Sequence, residues 1–537
     1  MYTQQIQQTE PLFLLLLFFI AALAVLAKRV QIPYPIVLVI GGLVLSQIPH
    51  VPHLRLDPNV VFFAILPPLI FSGAFLTPWR DFRLNLPTIS LLAFGLVIFT
   101  VVGVAAATRY FLSGFDWKTG LVLGAVVSAT DPVAAISTAR RLGLPKRITD
   151  LLEGESLVND ATGLLAVGLA TAVVVSGRTP AVGDEVVRFL YLVFGSIAIG
   201  LAIGKAMDEI EARIADAPVE ITLSVMAAYF AYLGAEGLHA SGVMATVACG
   251  LYLGHRSSAY FSIDARLQAA AVWDTFTFVL NGIVFILIGL QLPYILEGTG
   301  GFSARELLAL GLLFSAIVVV LRLLWMYPAA WTSNRIADRL GTSHPFPDQR
   351  YVFIAGWTGM RGVLALAAAF ALPEVLRSGA PFPQRNTILF LTFSVIFVTL
   401  VAQGLTLPAL IRRLGLAGIS SMDPEEAHAR RAMAKAAIEY LEHSREQDRP
   451  EFASIHDEMI RVQRGRLGML EPEPQDEKSP APDNFQRIRF LTQETRAIQR
   501  ATLMRLHREN KINDEVLRRL EHELDLLEAR FPVSSHL

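Results

Sequence analysis

Carboxylate, amide and hydroxyl side chains cluster in residues 128–163, a stretch that is otherwise apolar. Ionisable side chains at membrane depth are costly, and they usually bind ions, relay protons or pair with a buried cation. This stretch is therefore where we first expect chemistry. Its candidate groups are Asp131, Glu155, Asn159 and Asp160.

The spacing of these groups suits a cation site. Residues four apart lie on one face of a helix, so Ser156 falls beside Asp160 and Glu155 beside Asn159. If the preceding segment is a neighbour, Thr130, Ser156 and Asp160 can direct oxygens into one small volume, which suits a hard cation. Calcium normally recruits more carboxylates than this, so a monovalent ion such as Na⁺ fits better. Asp160 can hold a proton or a cation, because burial favours the neutral carboxyl and a bound cation favours the carboxylate.

The triplet Thr130-Asp131-Pro132 lies in the middle of an apolar segment. Aspartate is favoured as a helix cap and proline at the first helical position, so the triplet predicts the start of a second half-helix. Broken helices at membrane depth are tolerated where the loose backbone faces protein or a cavity, and in secondary transporters they form ion sites. A proline kink with a satisfied cap is the alternative.

A second interruption is expected at Arg361, which lies between Gly359 and Gly362 in another apolar segment. A guanidinium at this depth needs a carboxylate or the carbonyls of a helix C-terminus. Two interrupted helices in matching places of two halves indicate inverted repeats around a central binding site. Arg322, in a different apolar segment, is interpreted as a structural residue that snorkels or pairs internally.

The elements that position these groups are membrane helices. Of the 537 residues, 53% are hydrophobic and only 17% charged, which is too apolar for an ordinary soluble protein of this size. The net charge of −1 gives no basic excess for binding nucleic acid, and the single cysteine, Cys249, excludes an intrachain disulfide. No cofactor is expected.

At about 20 apolar residues per span, the sequence predicts an all-α polytopic membrane protein with about thirteen helices. The loops after odd-numbered spans carry nearly twice as many Lys and Arg as the others, which predicts an outside N-terminus and a cytoplasmic C-terminus in the cell membrane. The predicted spans are 12–28, 33–49, 58–77, 86–111, 117–140, 148–176, 184–206, 218–236, 239–255, 266–293, 304–331, 349–372 and 385–411.

The domain organisation follows from an abrupt change of composition after Arg412-Arg413. Residues 1–415 form the predicted transmembrane domain, and 416–537 form a cytoplasmic tail. Apolar residues at helical spacing predict helices in the tail, around 425–446 and 513–531, that pack on each other or on a second copy. A proline-rich acidic linker near 471–484 separates them.

Several stretches together resemble the monovalent cation:proton antiporter family, of the bacterial sodium/proton exchanger type. They are FFAILPPLIF at 62–71, SATDPVA at 128–134, EGESLVND at 153–160, ASGVMATVACGLYLG at 240–254, VWDTFTFVLNGIVFILIGLQL at 272–292 and GWTGMRGVLALA at 356–367. The resemblance implies crossed, unwound fifth and twelfth helices and a homodimer that works by an elevator-like movement.

The resemblance also implies roles for single residues. Asp160 is then the shared site of cation and proton, and Arg361 offsets buried negative charge. Many relatives have an acidic residue where this chain has Ser72, so Glu155 becomes the substitute partner for Arg361. The assisting residues are Thr130, Asp131, Ser156, Glu155 and Asn159.

These observations predict a secondary antiporter, not an enzyme, that exchanges one Na⁺ or Li⁺ for one H⁺. The exchange is expected to be electroneutral, because Asn159 stands where the electrogenic branch has a second aspartate and an amide carries no proton. A K⁺/H⁺ exchanger is the close alternative. An intramembrane aspartyl protease using Asp131 and Asp160 is a different class, but neither aspartate has a Tyr-Asp or Gly-Asp setting. A passive channel is the third alternative.

Overall fold

The protein is described from a computed structural model. The described residues are 2–48, 56–176, 182–214, 216–299, 302–339, 348–376, 378–417 and 424–468, with parts of 494–524. The chain forms two compact units, Met1–Ser421 and Met422–Leu537. The described part of the first unit is built from helices, with a single isolated β-bridge between Val375 and Pro381.

Helices cover every segment predicted to span. Among the described residues, eight helices are long and apolar enough to cross a bilayer, which confirms the all-helical membrane fold. In chain order the helices are α1 (Tyr2–Val30), α2 (Tyr34–Leu45), α3 (Pro58–Leu76), α4 (Trp79–Phe111), α5 (Trp117–Val126), α6 (Val133–Arg141), α7 (Lys146–Ser176), α8 (182–211), α9 (Ala217–Gly237), α10 (Gly242–Tyr260), α11 (Ile263–Leu290), α12 (Leu292–Glu297), α13 (Ala304–Arg339), α14 (Gln349–Trp357), α15 (Val363–Phe370) and α16 (Arg385–Arg413).

Several of these helices begin at a polar side chain that accepts a hydrogen bond from a backbone N–H of the first turn. Such a cap satisfies a donor that has no partner inside the helix, and this requirement is strict in lipid. The capping residues are Asp57, Asp116, Asp216, Ser241, Ser262 and Asp348.

Small residues allow the helices to pack backbone against backbone. A side chain at Gly42 of α2 would collide with the carbonyl of Ile286 in α11, and one at Gly289 of α11 would collide with the carbonyl of Val39. Lipid tails are as apolar as leucine, so close packing of this kind replaces the hydrophobic effect in holding membrane helices together.

The second unit contains the helices α17 (Pro424–Gln447) and α18 (Ala453–Gly468) and a further helix at 498–508. Ala434 and Leu441 of α17 and Ile460 of α18 are buried. The predicted proline-rich linker at 471–484 lies outside the described residues, as does most of the predicted helix at 513–531.

Candidate functional site

The two interrupted helices cross at their breaks. Residues 127–132 separate α5 from α6, and residues 358–362 separate α14 from α15. The backbone N–H of Asp131 donates to the carbonyl of Met360 at 2.9 Å, and Arg361 Nε donates to the carbonyl of Val127 at 2.7 Å. The prediction of two crossed, interrupted helices is confirmed. At the crossing each break supplies hydrogen-bond partners to the other, as irregular backbone in a membrane requires.

The glycines on either side of Arg361 make room for two charged side chains. A Cβ at Gly362 would collide with the carboxylate of Asp131, and a Cβ at Gly359 would collide with the side chain of Arg322. Neither glycine has a positive φ. Their role is therefore close approach, not backbone freedom.

Asp131 caps the second half of the first interrupted helix, as its sequence context predicts. Its Oδ1 accepts a hydrogen bond from the backbone N–H of Val133 at 3.0 Å. The cap holds the carboxylate at the N-terminus of α6, where the helix dipole favours negative charge.

Arg361 is fully buried and binds carbonyl oxygens. Besides Val127, it reaches the carbonyl of Gly359 at 2.8 Å through Nη1, and its backbone N–H donates to Thr399 Oγ1 at 3.1 Å. The expected pairing of Arg361 with Glu155 is wrong. Of the two kinds of partner that a buried guanidinium can use, Arg361 takes carbonyls, one from each break.

Glu155 instead forms a two-pronged ion pair with Arg322 of α13. The Nη1–Oε1 and Nη2–Oε2 distances are 2.5 and 2.8 Å, and both side chains are only 2% exposed. Arg322 also donates to the carbonyls of Gly356 and Ala355, at 3.1 and 3.0 Å. The sequence predicted an internal pair as one possibility for Arg322, but not its partner. The signal was an arginine deep inside a long apolar segment, because such a charge needs a counterion.

Thr130 joins the break of the first interrupted helix to α7. Its carbonyl accepts a hydrogen bond from Ser156 Oγ at 3.0 Å, and its Oγ1 accepts one from Asn159 Nδ2 at 3.2 Å. Thr130 Oγ1 donates to Glu155 Oε1 over a longer 3.4 Å. Among the described residues, the buried Oδ1 of Asn159 has no hydrogen-bond partner.

A cavity of about 250 Å³ lies beside this network. Asp160, Asp131, Thr130 and Ser156 all line it, so the structure brings these four predicted residues to one space. In the described part of the chain, no residue donates a hydrogen bond to the carboxylate of Asp160. This carboxylate is therefore available to a ligand in the cavity.

The same cavity is lined by polar residues that the sequence analysis did not include among the site residues. Ser72 of α3 and Thr277 and Asn281 of α11 are among its lining residues. Thr277 and Asn281 are four residues apart on one helical face of an apolar helix, and this spacing was the signal available in the sequence. Arg140 and Glu153 also line the cavity, and their side chains form an ion pair at 2.7 Å.

Known proteins resemble the chain over nearly its whole length. The family model described as sodium/hydrogen exchanger, transmembrane, matches residues 14–413. An uncharacterized Na⁺/H⁺ exchanger of Mycobacterium tuberculosis is 34% identical over 94% of this chain and 93% of its own. A sodium, potassium, lithium and rubidium/H⁺ antiporter of Bacillus pumilus is 29% identical, over 96% of this chain and 77% of its own.

A solved structure shares the fold. The sodium proton antiporter of Methanocaldococcus jannaschii superposes with a TM-score of 0.62 at 19% identity, covering 77% of this chain and 99% of its own. The family model, the relatives and the crossed helices agree on a membrane transporter, which excludes the intramembrane protease. The chain belongs to the sodium/hydrogen exchanger family of membrane antiporters.

Proposed function

We propose that the protein exchanges one Na⁺ or Li⁺ for one H⁺, with Asp160 alternately binding the cation and the proton. The observation that carries this proposal is that Asp160 lacks a hydrogen-bond partner among the described residues, whereas the two neighbouring carboxylates each have one. Glu155 is paired with Arg322, and Asp131 caps α6, whereas Asp160 faces the cavity and accepts no hydrogen bond from the described residues.

The residues around Asp160 suit a small monovalent cation. Asp160, Ser156 and Thr130 are the proposed ligands, since carboxylate, hydroxyl and carbonyl oxygens are what hard cations prefer. Asp131, Glu155 and Asn159 support them by fixing the backbone of the break and the hydrogen bonds of Thr130. Arg361 offsets the partial negative charge of the carbonyls of Val127 and Gly359, one in each break.

The charge balance of the site favours electroneutral exchange. Asn159 is an amide and carries no proton, the charge of Glu155 is already balanced by Arg322, and the carboxylate of Asp131 is held as the cap of α6. One carboxylate is then left to change its occupant. The site has the same net charge when a deprotonated Asp160 binds a monovalent cation as when Asp160 is protonated. The cycle therefore moves no net charge.

K⁺/H⁺ exchange is the second candidate. The Bacillus pumilus relative is described as transporting sodium, potassium, lithium and rubidium. The proposed ligands are oxygens that bind K⁺ as well as Na⁺. Discrimination between the two ions depends on cavity size and ligand number.

The proposed setting is the cell membrane, with the N-terminus outside and the C-terminus in the cytoplasm. The excess of Lys and Arg in the loops after odd-numbered spans supports this orientation. We further propose a homodimer that works by an elevator-like movement, with 1–415 as the transmembrane antiporter domain and 416–537 as the cytoplasmic tail. The resemblance to the antiporter family supports both.

Proton flux from proteoliposomes tests the proposal. We expect flux on addition of Na⁺ or Li⁺, none with choline, and no dependence on an imposed membrane potential. Asp160→Asn should abolish the flux, because an amide neither carries the proton nor supplies the charge that balances the cation.

Asp116→Asn is the matched control. Asp116 is exposed and caps α5 through Thr119 N–H at 2.8 Å, a role that asparagine also fills. Its flux should equal that of the wild type. Proton flux that survives in Asp160→Asn would refute the assignment of the site. Cation flux without proton counterflow would indicate a channel. A larger response to K⁺ than to Na⁺ would favour the second candidate.

A further inference from the structure

Helix α4 contains a π-helical segment at Leu91–Leu96, four residues after the internal proline Pro87. π-helical turns within α-helices are rare and frequent at functional sites. A backbone carbonyl has two lone pairs, so it can accept a side-chain donor in addition to a helical N–H. Two carbonyls of this segment accept a hydrogen bond from a side chain, and the two donors come from different helices.

The first donor is Thr162 of α7, whose Oγ1 lies 2.7 Å from the carbonyl of Ala93. A second, longer contact of this hydroxyl, at 3.1 Å, is to the carbonyl of Asn159 within α7. Thr162 follows Asp160 by two residues, which places the two side chains about 200° apart around the helix. Asp160 therefore faces the cavity while Thr162 fixes the opposite side of the same turn to α4.

The second donor is Trp325 of α13, whose Nε1 donates to the carbonyl of Leu91 at 3.1 Å. Its ring packs 5.1 Å from that of Phe99 and fills the space that a side chain at Gly95 would need. Trp325 lies one helical turn after Arg322, which holds the carboxylate of Glu155. The same short segment of α4 thus contacts the helix of Asp160 and the helix of the Glu155 counterion.

We propose that Leu91–Leu96 is a clamp that sets the positions of Asp160 and Glu155 relative to each other, with Thr162 and Trp325 as positioning residues. Neither residue is among those that line the cavity, so each acts through the helix that it holds. A displacement of about 1 Å at a binding group is enough to change its function strongly. The inference rests on the proposed function, since Asp160 is taken as the cation site.

Two substitutions remove the donors separately. Thr162→Val keeps the shape of the side chain, and Trp325→Phe keeps a ring against Phe99. We expect each to weaken Na⁺ binding about threefold to tenfold, the range that a single hydrogen bond covers, with the maximum transport rate changed less than twofold. In the double variant, Na⁺ affinity should fall by less than the product of the two single effects, because both hydrogen bonds hold one segment. Thr162→Ser keeps the hydroxyl donor and should bind Na⁺ like the wild type.

Matched controls lie on the same two helices. In the described chain Thr171 Oγ1 of α7 has no hydrogen-bond partner, and Trp331 of α13 is 56% exposed. Thr171→Val and Trp331→Phe should bind Na⁺ like the wild type.

The dissociation constant is measured from the dependence of the melting temperature on Na⁺ concentration, which requires no transport. Maximum rate and apparent KM come from proteoliposome flux. A wild type that binds Na⁺ without exchanging it for protons would contradict the proposed antiport and leave the clamp testable by binding. Folded Thr162→Val with wild-type affinity, or an equal loss in Thr171→Val, would overturn the clamp. If Trp325→Phe fails to fold, the affinity of Thr162→Val for Na⁺ still tests the clamp.

Discussion

The buried ion pair of Glu155 and Arg322 determines which carboxylates of the site remain available. Taking two charges out of water is costly, and the cost is recovered only with good geometry and further hydrogen bonds. Both conditions hold, because the pair is two-pronged and Arg322 also donates to two carbonyls. Glu155 is thereby held by Arg322, and in the proposed function this leaves Asp160 as the carboxylate that exchanges its occupant.

Removing one member of this pair should be far more harmful than removing both. Arg322→Met leaves a buried carboxylate without its counterion, and we expect a loss of about 3–5 kcal/mol in the free energy of unfolding. Arg322→Met combined with Glu155→Gln should recover most of that loss. Thermal unfolding of the purified variants in detergent measures both. Equal melting temperatures for the single and double variants would contradict a direct pair.

The pairing of Arg322 with Glu155 could not be predicted from the sequence, for a physical reason. Arg322 and Glu155 are 167 positions apart, so their contact depends on which helices are neighbours, and neither hydropathy nor spacing specifies that. The sequence did identify Asp160, Ser156 and Thr130 as residues of one volume, because they lie in two consecutive segments with recognisable helix chemistry. The residue chemistry allowed Arg361 either a carboxylate or carbonyl partners, and the family resemblance favoured the carboxylate of Glu155, which is wrong.

At the scale of helices, the crossing depends on a glycine at a point of close approach. Gly362→Ala should disrupt it, because the new methyl group would collide with the carboxylate of Asp131. Overpacking of this kind costs about 1–3 kcal/mol, and the displaced Asp131 should lower transport as well. Gly168→Ala on α7 is the control, since nothing lies within 4 Å of its added Cβ. Wild-type transport and melting temperature in Gly362→Ala would show that the two breaks are not in contact there.

The cap of the second half-helix gives another prediction. Asp131→Asn keeps an oxygen for the N–H of Val133, whereas Asp131→Ala removes it. Loss of a helix cap costs about 1 kcal/mol. The alanine variant should therefore melt below the asparagine variant, which should unfold close to the wild type in a thermal scan. An equal drop in melting temperature for both variants would show that the charge of Asp131, and not the cap, is what stabilises the break.

The positions of the two breaks were predictable, because Asp-Pro in one segment and Gly-Met-Arg-Gly in the other disrupt helices by local chemistry. The contacts between the breaks were not. The π-helical segment at Leu91–Leu96 was also missed, since its residues, LLAFGL, read as an ordinary apolar helix. Its hydrogen-bond partners come from other helices, so the residues of the segment alone do not predict a π-helical turn.

At the scale of the whole molecule, the two compact units lead to a test of the tail. Domains with their own cores generally fold independently, so a chain ending at Ser421 should still exchange cations for protons with the same order of preference among Na⁺, Li⁺ and K⁺. Proteoliposome flux of the shortened chain measures this, with its Asp160→Asn variant as the blank. A folded, monodisperse shortened chain without flux would show that 422–537 is required for transport.

Competition between Na⁺ and H⁺ tests the central claim most directly. If one carboxylate holds either ion, protons raise the apparent KM for Na⁺ without lowering the maximum rate at saturating Na⁺. Initial rates over a grid of Na⁺ concentration and pH measure both quantities. For one shared carboxylate, the apparent KM for Na⁺ should approach a tenfold rise per pH unit towards acid pH, at a constant maximum rate. A KM independent of pH, or a rise approaching a hundredfold per pH unit, would contradict a single site shared by one cation and one proton.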